Sequence, residues 1–355
     1  MIGDVGVVLK RATEINTLEF EPRVRPVRYW GEDNLDSDNY SFRFGADHKF
    51  ERGSIGLDAE YRKDSTLGTE LLTTGLVQNQ LDVDIVNVGP KLSYQLTERD
   101  QVDLAFSYGT TDYEESPGSG LSNYNTKNAS VTYTHALTEK AQLFSQFGWS
   151  AFNVNDIDND PSDPFNIRDT SSSTDSYTLL GGFQGNTETL SGTAYGGLIY
   201  STTERRQNQV AFAPMQDFNG VGSLFNFALK KKFERDTWNA SYDRTVQPTG
   251  SGNQQVRNEW STSLYHEFDE RLTGNLGFRY FDNSTQFGDQ LGFGNAKTTY
   301  IGGNAGLTYR LTPYWSAFLR YSYLQSSNDI NDLTATQNVA QLGLSYSGEK
   351  WAVSR

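Results

Sequence analysis

The feature that most constrains this chain is a period-two alternation of apolar and polar residues, sustained over 9 to 13 residues and repeated along its length. In 141–151 one face carries Ala141, Leu143, Phe147, Trp149 and Ala151, and the other Gln142, Gln146, Gly148 and Ser150. In 272–281, Leu272, Gly274, Leu276, Phe278 and Tyr280 oppose Thr273, Asn275, Gly277 and Arg279. Segments 315–323 (Trp315, Ala317, Leu319, Tyr321, Tyr323) and 339–346 (Ala340, Leu342, Leu344, Tyr346) repeat the pattern. Side chains alternate between the two faces of a strand, so each segment reads as a strand with one apolar and one polar face. Sixteen such segments fit, the first near 16–29 and the last near 336–347.

Short charged turns punctuate the strands: Glu51-Arg52-Gly53, Thr97-Glu98-Arg99-Asp100, Thr138-Glu139-Lys140, Asn186-Thr187-Glu188, Glu234-Arg235-Asp236, Asp269-Glu270-Arg271 and Thr312-Pro313-Tyr314. Between them lie longer polar stretches at 31–39, 65–80, 110–123, 155–175, 203–220, 284–296 and 325–334. Tight turns alternating with long loops are the asymmetry of a transmembrane antiparallel up-and-down β-barrel, with short periplasmic turns and long extracellular loops. An even strand count puts both ends on the periplasmic side and lets the first strand pair with the last. A soluble propeller would need four short strands per repeat, where each repeat here reads as two long ones.

Bulk properties agree. Mean hydropathy is −0.62, the value of a chain whose strands are apolar on one face only, and no apolar run is long enough for a membrane helix. No cysteine is present, which excludes a disulfide framework, a thiolate metal site and a cysteine nucleophile. The expected boundaries are a periplasmic N-terminal segment at 1–14, the barrel at 15–347 and a C-terminal tail at 348–355, in the bacterial outer membrane.

Aromatic residues gather beside the turns as an interfacial girdle: Phe50, Tyr94, Phe233, Phe268, Tyr309 and Tyr314. His48, His135 and His266 fall at the same level on the apolar face, where they read as interfacial rings rather than catalytic or metal-binding groups.

The polar face is charged. Alternation assigns it Arg23, Arg25, Arg43, Lys49, Asp58, Glu60, Arg62, Lys91, Asp103, Lys230, Lys232, Asp243, Glu267, Arg279, Arg310 and Arg320, our expected lumen-lining residues. Glu19, Glu21 and Asp47 share it. This set is slightly basic although the chain carries a net charge of −14, which points to a wet pore with a preference for anions. Ion pairs bracing a wide barrel would produce the same pattern. The aromatic members of the face are Tyr195, Tyr265, Tyr300 and Phe318, suited to stacking on sugar rings or to filling space. Surplus acid sits in the loops. Asp156-x-Asp158-x-Asp160 resembles the start of a calcium loop but lacks its glycine and distant glutamate. The 155–175 and 203–220 stretches are the candidates for folding into the lumen.

No P-loop, dinucleotide fingerprint, zinc motif or nucleophile elbow occurs, so no catalytic residue, cofactor or metal is expected, and the acidic balance disfavours nucleic acid. The expected surroundings are outer-membrane lipid and lipopolysaccharide.

The run Leu92-Ser93-Tyr94-Gln95-Leu96-Thr97-Glu98-Arg99-Asp100, its flanks Ala59-Glu60-Tyr61-Arg62 and Asp112-Tyr113-Glu114, and the echo from Tyr124-Asn125-Thr126 to Thr134-His135-Ala136-Leu137-Thr138-Glu139-Lys140 form one texture. They resemble a family of outer-membrane β-barrel porins encoded beside exopolysaccharide biosynthesis and export genes. The resemblance implies a channel that exports an exopolysaccharide, working with a periplasmic export complex. The end departs from the common barrel pattern, since Gly348-Glu349-Lys350-Trp351-Ala352-Val353-Ser354-Arg355 follows the last strand and carries no terminal aromatic. From the residues alone, diffusion of hydrophilic solutes is an equal reading of a wet pore. The alternative from another class is a structural or adhesive barrel whose acidic loops bind a partner, a polymer or divalent cations.

Overall fold

The computed structural model describes residues 2–29, 35–66, 80–114, 121–159, 167–207, 216–248, 254–285, 297–328 and 333–348. The named elements there are all strands. Two are short, β1 (Val5–Gly6) and β2 (Leu9–Ala12). Sixteen are long, beginning with β3 (Asn16–Val27), β4 (Ser37–Phe50), β5 (Gly53–Ser65), β6 (Asp82–Gln95), β7 (Asp100–Tyr113) and β8 (Tyr124–Thr138). They continue with β9 (Ala141–Asn159), β10 (Ile167–Asn186), β11 (Leu190–Gln207), β12 (Gln216–Lys232) and β13 (Asp236–Pro248). The last are β14 (Gln254–Glu267), β15 (Leu272–Thr285), β16 (Lys297–Arg310), β17 (Trp315–Asn328) and β18 (Leu333–Tyr346). Each strand from β3 onward pairs antiparallel with its successor, in one up-and-down sheet. This is the expected barrel architecture.

The tight turns form where the charged triplets stand, and their chemistry is repeated. The hydroxyl of Thr97 accepts from the backbone N–H of Arg99 and Asp100, that of Thr187 from Leu190, and that of Thr312 from Tyr314 and Trp315. The Asp269 carboxylate does the same for Arg271 and Leu272, each at 2.7 Å. A side chain that accepts from N–H groups two and three residues ahead mimics a backbone turn, so Thr or Asp at this place closes the hairpin.

Residues 2–12 add to the sheet. Ile2 bridges Val27, and β1 and β2 lie along β3 in one continuous register, Val5 opposite Val24 and Leu9 opposite Phe20. The break between them faces Pro22, which has no N–H for the ladder, although Val7 still donates to the Pro22 carbonyl at 3.1 Å. The segment expected as a periplasmic lead, 1–14, thus supplies a strand edge. The expected pairing of the first long strand with the last is corrected. Among the described residues β3 carries β1 and β2 on the edge away from β4, so the N-terminal strands and not the last strand flank β3.

The two longest expected loops are shorter than the sequence implied. β9 and β10 continue in register as far as Asn159 opposite Ile167, so most of 155–175 is strand. β11 and β12 likewise extend to Arg205 opposite Gln216. Asp156 and Asp158 belong to a strand ladder rather than a calcium loop; Asp160 lies outside the described residues. Whether 160–166 or 208–215 enters the lumen concerns residues that also lie outside the description.

The apolar face carries the large exposed side chains, among them Phe42, Phe44, Leu104, Phe147, Leu179, Leu198, Phe225, Leu276 and Leu319. The turn-side girdle pairs Phe50 with Tyr94 (ring centroids 6.5 Å apart) and Trp315 with Tyr346 (5.0 Å). Buried residues lie toward the loop ends of the polar face: Val83, Tyr113, Phe152, Val154, Ile199, Phe281 and Tyr300. An apolar outer band bounded by aromatic rings is the surface of a membrane-spanning barrel.

Candidate channel lining

Register carries each charged side chain to one side of the wall. Phe42 pairs with Tyr61 on the apolar face, which sets Arg43 opposite Glu60 on the other; Leu276 opposite Ala305 does the same for Arg279. All sixteen residues named from alternation occupy registers of the polar face: Arg23 and Arg25 on β3; Arg43 and Lys49 on β4; Asp58, Glu60 and Arg62 on β5; Lys91 on β6; Asp103 on β7; Lys230 and Lys232 on β12; Asp243 on β13; Glu267 on β14; Arg279 on β15; Arg310 on β16; and Arg320 on β17.

The structure brings some of them together. Between β3 and β7 the charges form an exposed ladder. Lys91 Nζ meets Asp58 at 2.9 Å, Arg43 Nε meets Glu60 at 3.2 Å, and Asp103 accepts from Gln101 at 2.8 Å. The ladder continues with Lys10–Glu19 at 2.8 Å and Arg23–Asp4 at 2.7 Å, and Asp4 and Lys10 were not among the expected residues. Asp58 and Lys91 keep 65% and 53% of their side-chain surface, so they are solvated, and pairs of this kind contribute at most about 1 kcal/mol each. The same wall forms a concavity of about 580 Å³ lined by Glu19, Glu21, Arg43, Asp47, Asp58 and Lys91.

Across β13–β16 the charges are packed. Glu259 receives Arg279 through two contacts, Nε at 2.6 Å and an Nη at 3.0 Å, and Arg257 Nε at 2.9 Å. Arg257 is 5% exposed and its guanidinium lies 3.7 Å from the centroid of the Phe281 ring. Phe281 stacks on Tyr300 at 4.4 Å and 11°. Asp243, on the next strand, accepts from Asn226 at 2.8 Å. A fork of guanidinium groups about one carboxylate, with its rear face on an aromatic ring, is a rigid arrangement. Tyr300, one of the aromatics read as able to stack on sugars, is 2% exposed and has its face against Phe281, so it fills space.

Arg257 and Glu259 were missed in the sequence. The signal was there, since Trp260 and Leu264 set the parity of β14. The run Gln254-Gln255-Val256-Arg257-Asn258-Glu259 is so polar that it shows no alternation by itself.

The three histidines share one design. His48 meets Asn16 at 2.7 Å, His135 meets Asp100 at 2.8 Å and His266 meets Asp236 at 2.7 Å, each partner being the first residue of a strand and the cross-strand neighbour. They lie on the apolar face beside the turns, apart from one another. No group of three or more His, Cys, Asp or Glu with metal-binding geometry occurs among the described residues.

No protein-family model matches the chain, and no curated protein is similar to it in sequence. Solved structures are similar in fold. The copper transporter OprC aligns over 98% of this chain with a TM-score of 0.58 and 12% identity. BauA, the ferric preacinetobactin receptor of Acinetobacter baumannii, aligns over 97% (TM-score 0.53, 10% identity), and the alcaligin outer-membrane receptor FauA of Bordetella pertussis over 98% (0.51, 12%). The chain spans 66%, 70% and 63% of those proteins. At such identities the likeness establishes the fold. That fold, the apolar outer band and the aromatic girdle place the chain in the bacterial outer membrane.

Proposed function

We propose that this protein is an outer-membrane channel whose polar face lines a water-filled passage for hydrophilic solutes, an extracellular polysaccharide being the cargo class, and that it performs no catalysis. The observation that supports this reading is the solvated ion ladder of β3–β7 set back to back with an apolar outer band. Charges that keep half or more of their surface need water beside them, and a wall with lipid on one side has room for water only on the other. The cargo class rests on the resemblance to porins encoded with exopolysaccharide genes. Copper and siderophore transport belong to the neighbouring structures named above, and the residues here supply no reason to transfer them.

The test is current through a planar bilayer holding the purified protein. Discrete open-channel steps, abolished when the protein is omitted, are the expected result; silence at every voltage and salt concentration would remove the open-pore reading. Deleting the gene is expected to lower surface polysaccharide without loss of intracellular polymer. Unchanged surface polymer would leave a diffusion pore and remove the export reading.

A further inference from the structure

The polar face is not uniform around the wall. On the inner registers of β8–β11, among residues whose side chains are described, there is no Asp, Glu, Lys, Arg or His. The flanking strands are charged, with Lys91 and Asp103 on one side and Lys230 and Lys232 on the other. Four neighbouring strands at ~4.8 Å spacing make this neutral stripe about 14 Å wide between its outer strand axes. A wet face without charge over such a width is a departure from the rest of the lining, and it asks for its own account.

The stripe has two halves. Toward the loops it is closed: Phe152, Val154 and Ile199 are buried, and the hydroxyls of Ser176 and Ser201 bond each other at 2.8 Å. Toward the turns it is open and carries amides, hydroxyls and one aromatic pair. Gln142 donates to Gln184 at 3.2 Å, leaving further amide donors and acceptors on both side chains, and Gln146 lies on the same face of β9 beyond Phe144, opposite Leu180. Asn128 is exposed and donates to Ser107 at 3.0 Å. Phe144 and Tyr195 meet edge to face, ring centroids 6.1 Å apart at 69°. They reach each other across β10 because the residue between is glycine: a Cβ on Gly182 would lie 2.5 Å from the Phe144 ring and 2.6 Å from the Tyr195 Cβ.

We infer that the turn-side inner face of β8–β11, built around Phe144, Tyr195 and the amides of Gln142, Gln146 and Gln184, is a track for a neutral glycan. A sugar ring presents hydroxyls at its rim and an apolar C–H face. Amides exchange water for sugar hydroxyls at little net free energy, because each hydrogen bond made replaces one lost. The aromatic pair supplies the apolar contact, and Gly182 holds it open. Charged walls on both flanks keep their own hydration and confine a neutral polymer to the stripe. Weak, repeated contacts of this kind suit movement along a surface better than one tight site would. The track deepens the channel reading and rests on it only for transport, since binding to the stripe can be measured without current.

The experiment uses the purified full chain and two probes of equal length, the neutral glucan maltoheptaose and a heptameric oligogalacturonate. Binding is measured by calorimetry in detergent, and block of single-channel current in a bilayer. Maltoheptaose is expected to bind and block more strongly than the anionic probe. Phe144→Ala with Tyr195→Ala is expected to weaken its binding by about tenfold or more, the equivalent of 1.4 kcal/mol. Tyr195→Phe, which keeps the ring, should retain binding, as should Phe147→Ala on the outer face. Retention of the heat-modifiable gel shift shows that each variant is folded. Equal affinity for the two probes, or a folded double variant that binds as wild type does, overturns the track. Ring-dependent binding without any current sustains it and removes the open-pore reading; current without ring-dependent binding does the reverse.

Discussion

At the scale of single residues, the turns show how little chemistry closes a hairpin. Thr97, Thr187 and Thr312 each bond backbone N–H groups ahead of them, and Asp269 does so as a carboxylate. Those two N–H donors, from Arg271 and Leu272, hold the Asp269 carboxyl below the usual carboxylate range. A depressed folded value stabilises the folded state above the unfolded-chain pKa, and that contribution fades as pH falls through the folded one. Asp269→Asn is therefore expected to flatten the acid limb of the unfolding profile in lipid vesicles while leaving the neutral-pH barrel intact. An acid limb identical to that of wild type would show that the turn carries no such linkage. The turn positions were legible because Thr-Glu and Asp-Glu at regular intervals are local signals. The histidines were legible as interfacial residues, but their Asn or Asp partners were not. Asn16, Asp100 and Asp236 come from other strands, and only register brings them opposite.

At the scale of elements, alternation carried the reading wherever a strand is half apolar and failed wherever both faces are polar. β14 begins with five polar residues and Val256 ahead of Trp260, a run without visible alternation, and so Arg257 and Glu259 were not assigned to the polar face. The upper parts of β9 and β10 were lost for the same reason. Runs rich in Asp and Asn have weak strand preference alone, yet the ladder begun below them continues in register. The N-terminal strand escaped notice because it forms two short pieces, with Pro22 and Pro26 of β3 supplying no N–H opposite the breaks. The β13–β16 cluster has a mechanical consequence. Glu259 takes contacts from both Arg257 and Arg279, so Glu259→Gln removes the carboxylate that bridges two guanidinium groups, one of them buried. The expected cost is about 3 kcal/mol, read as a lower urea midpoint in vesicles, with partial recovery when Arg257→Met is added. A loss no larger than that from Lys91→Gln in the solvated ladder would contradict the difference drawn between the two walls.

At the scale of the whole molecule, one wall separates two environments, and the sequence describes the wall better than its ends. Strand number, hairpin order and the sidedness of nearly every charge follow from the period of two. The seam does not, because pairing between distant strands leaves no local pattern. The central claim is that the polar face meets water in an open passage while the apolar face meets lipid, and the absence of native cysteine makes it directly measurable. Single cysteines at Asp58 and Leu57, adjacent on β5 and facing opposite ways, are treated in a planar bilayer with a charged, water-soluble methanethiosulfonate reagent. A stepwise change in single-channel current is expected for Asp58→Cys and no change for Leu57→Cys. Equal responses at the two positions, or a response at Leu57→Cys alone, would contradict it.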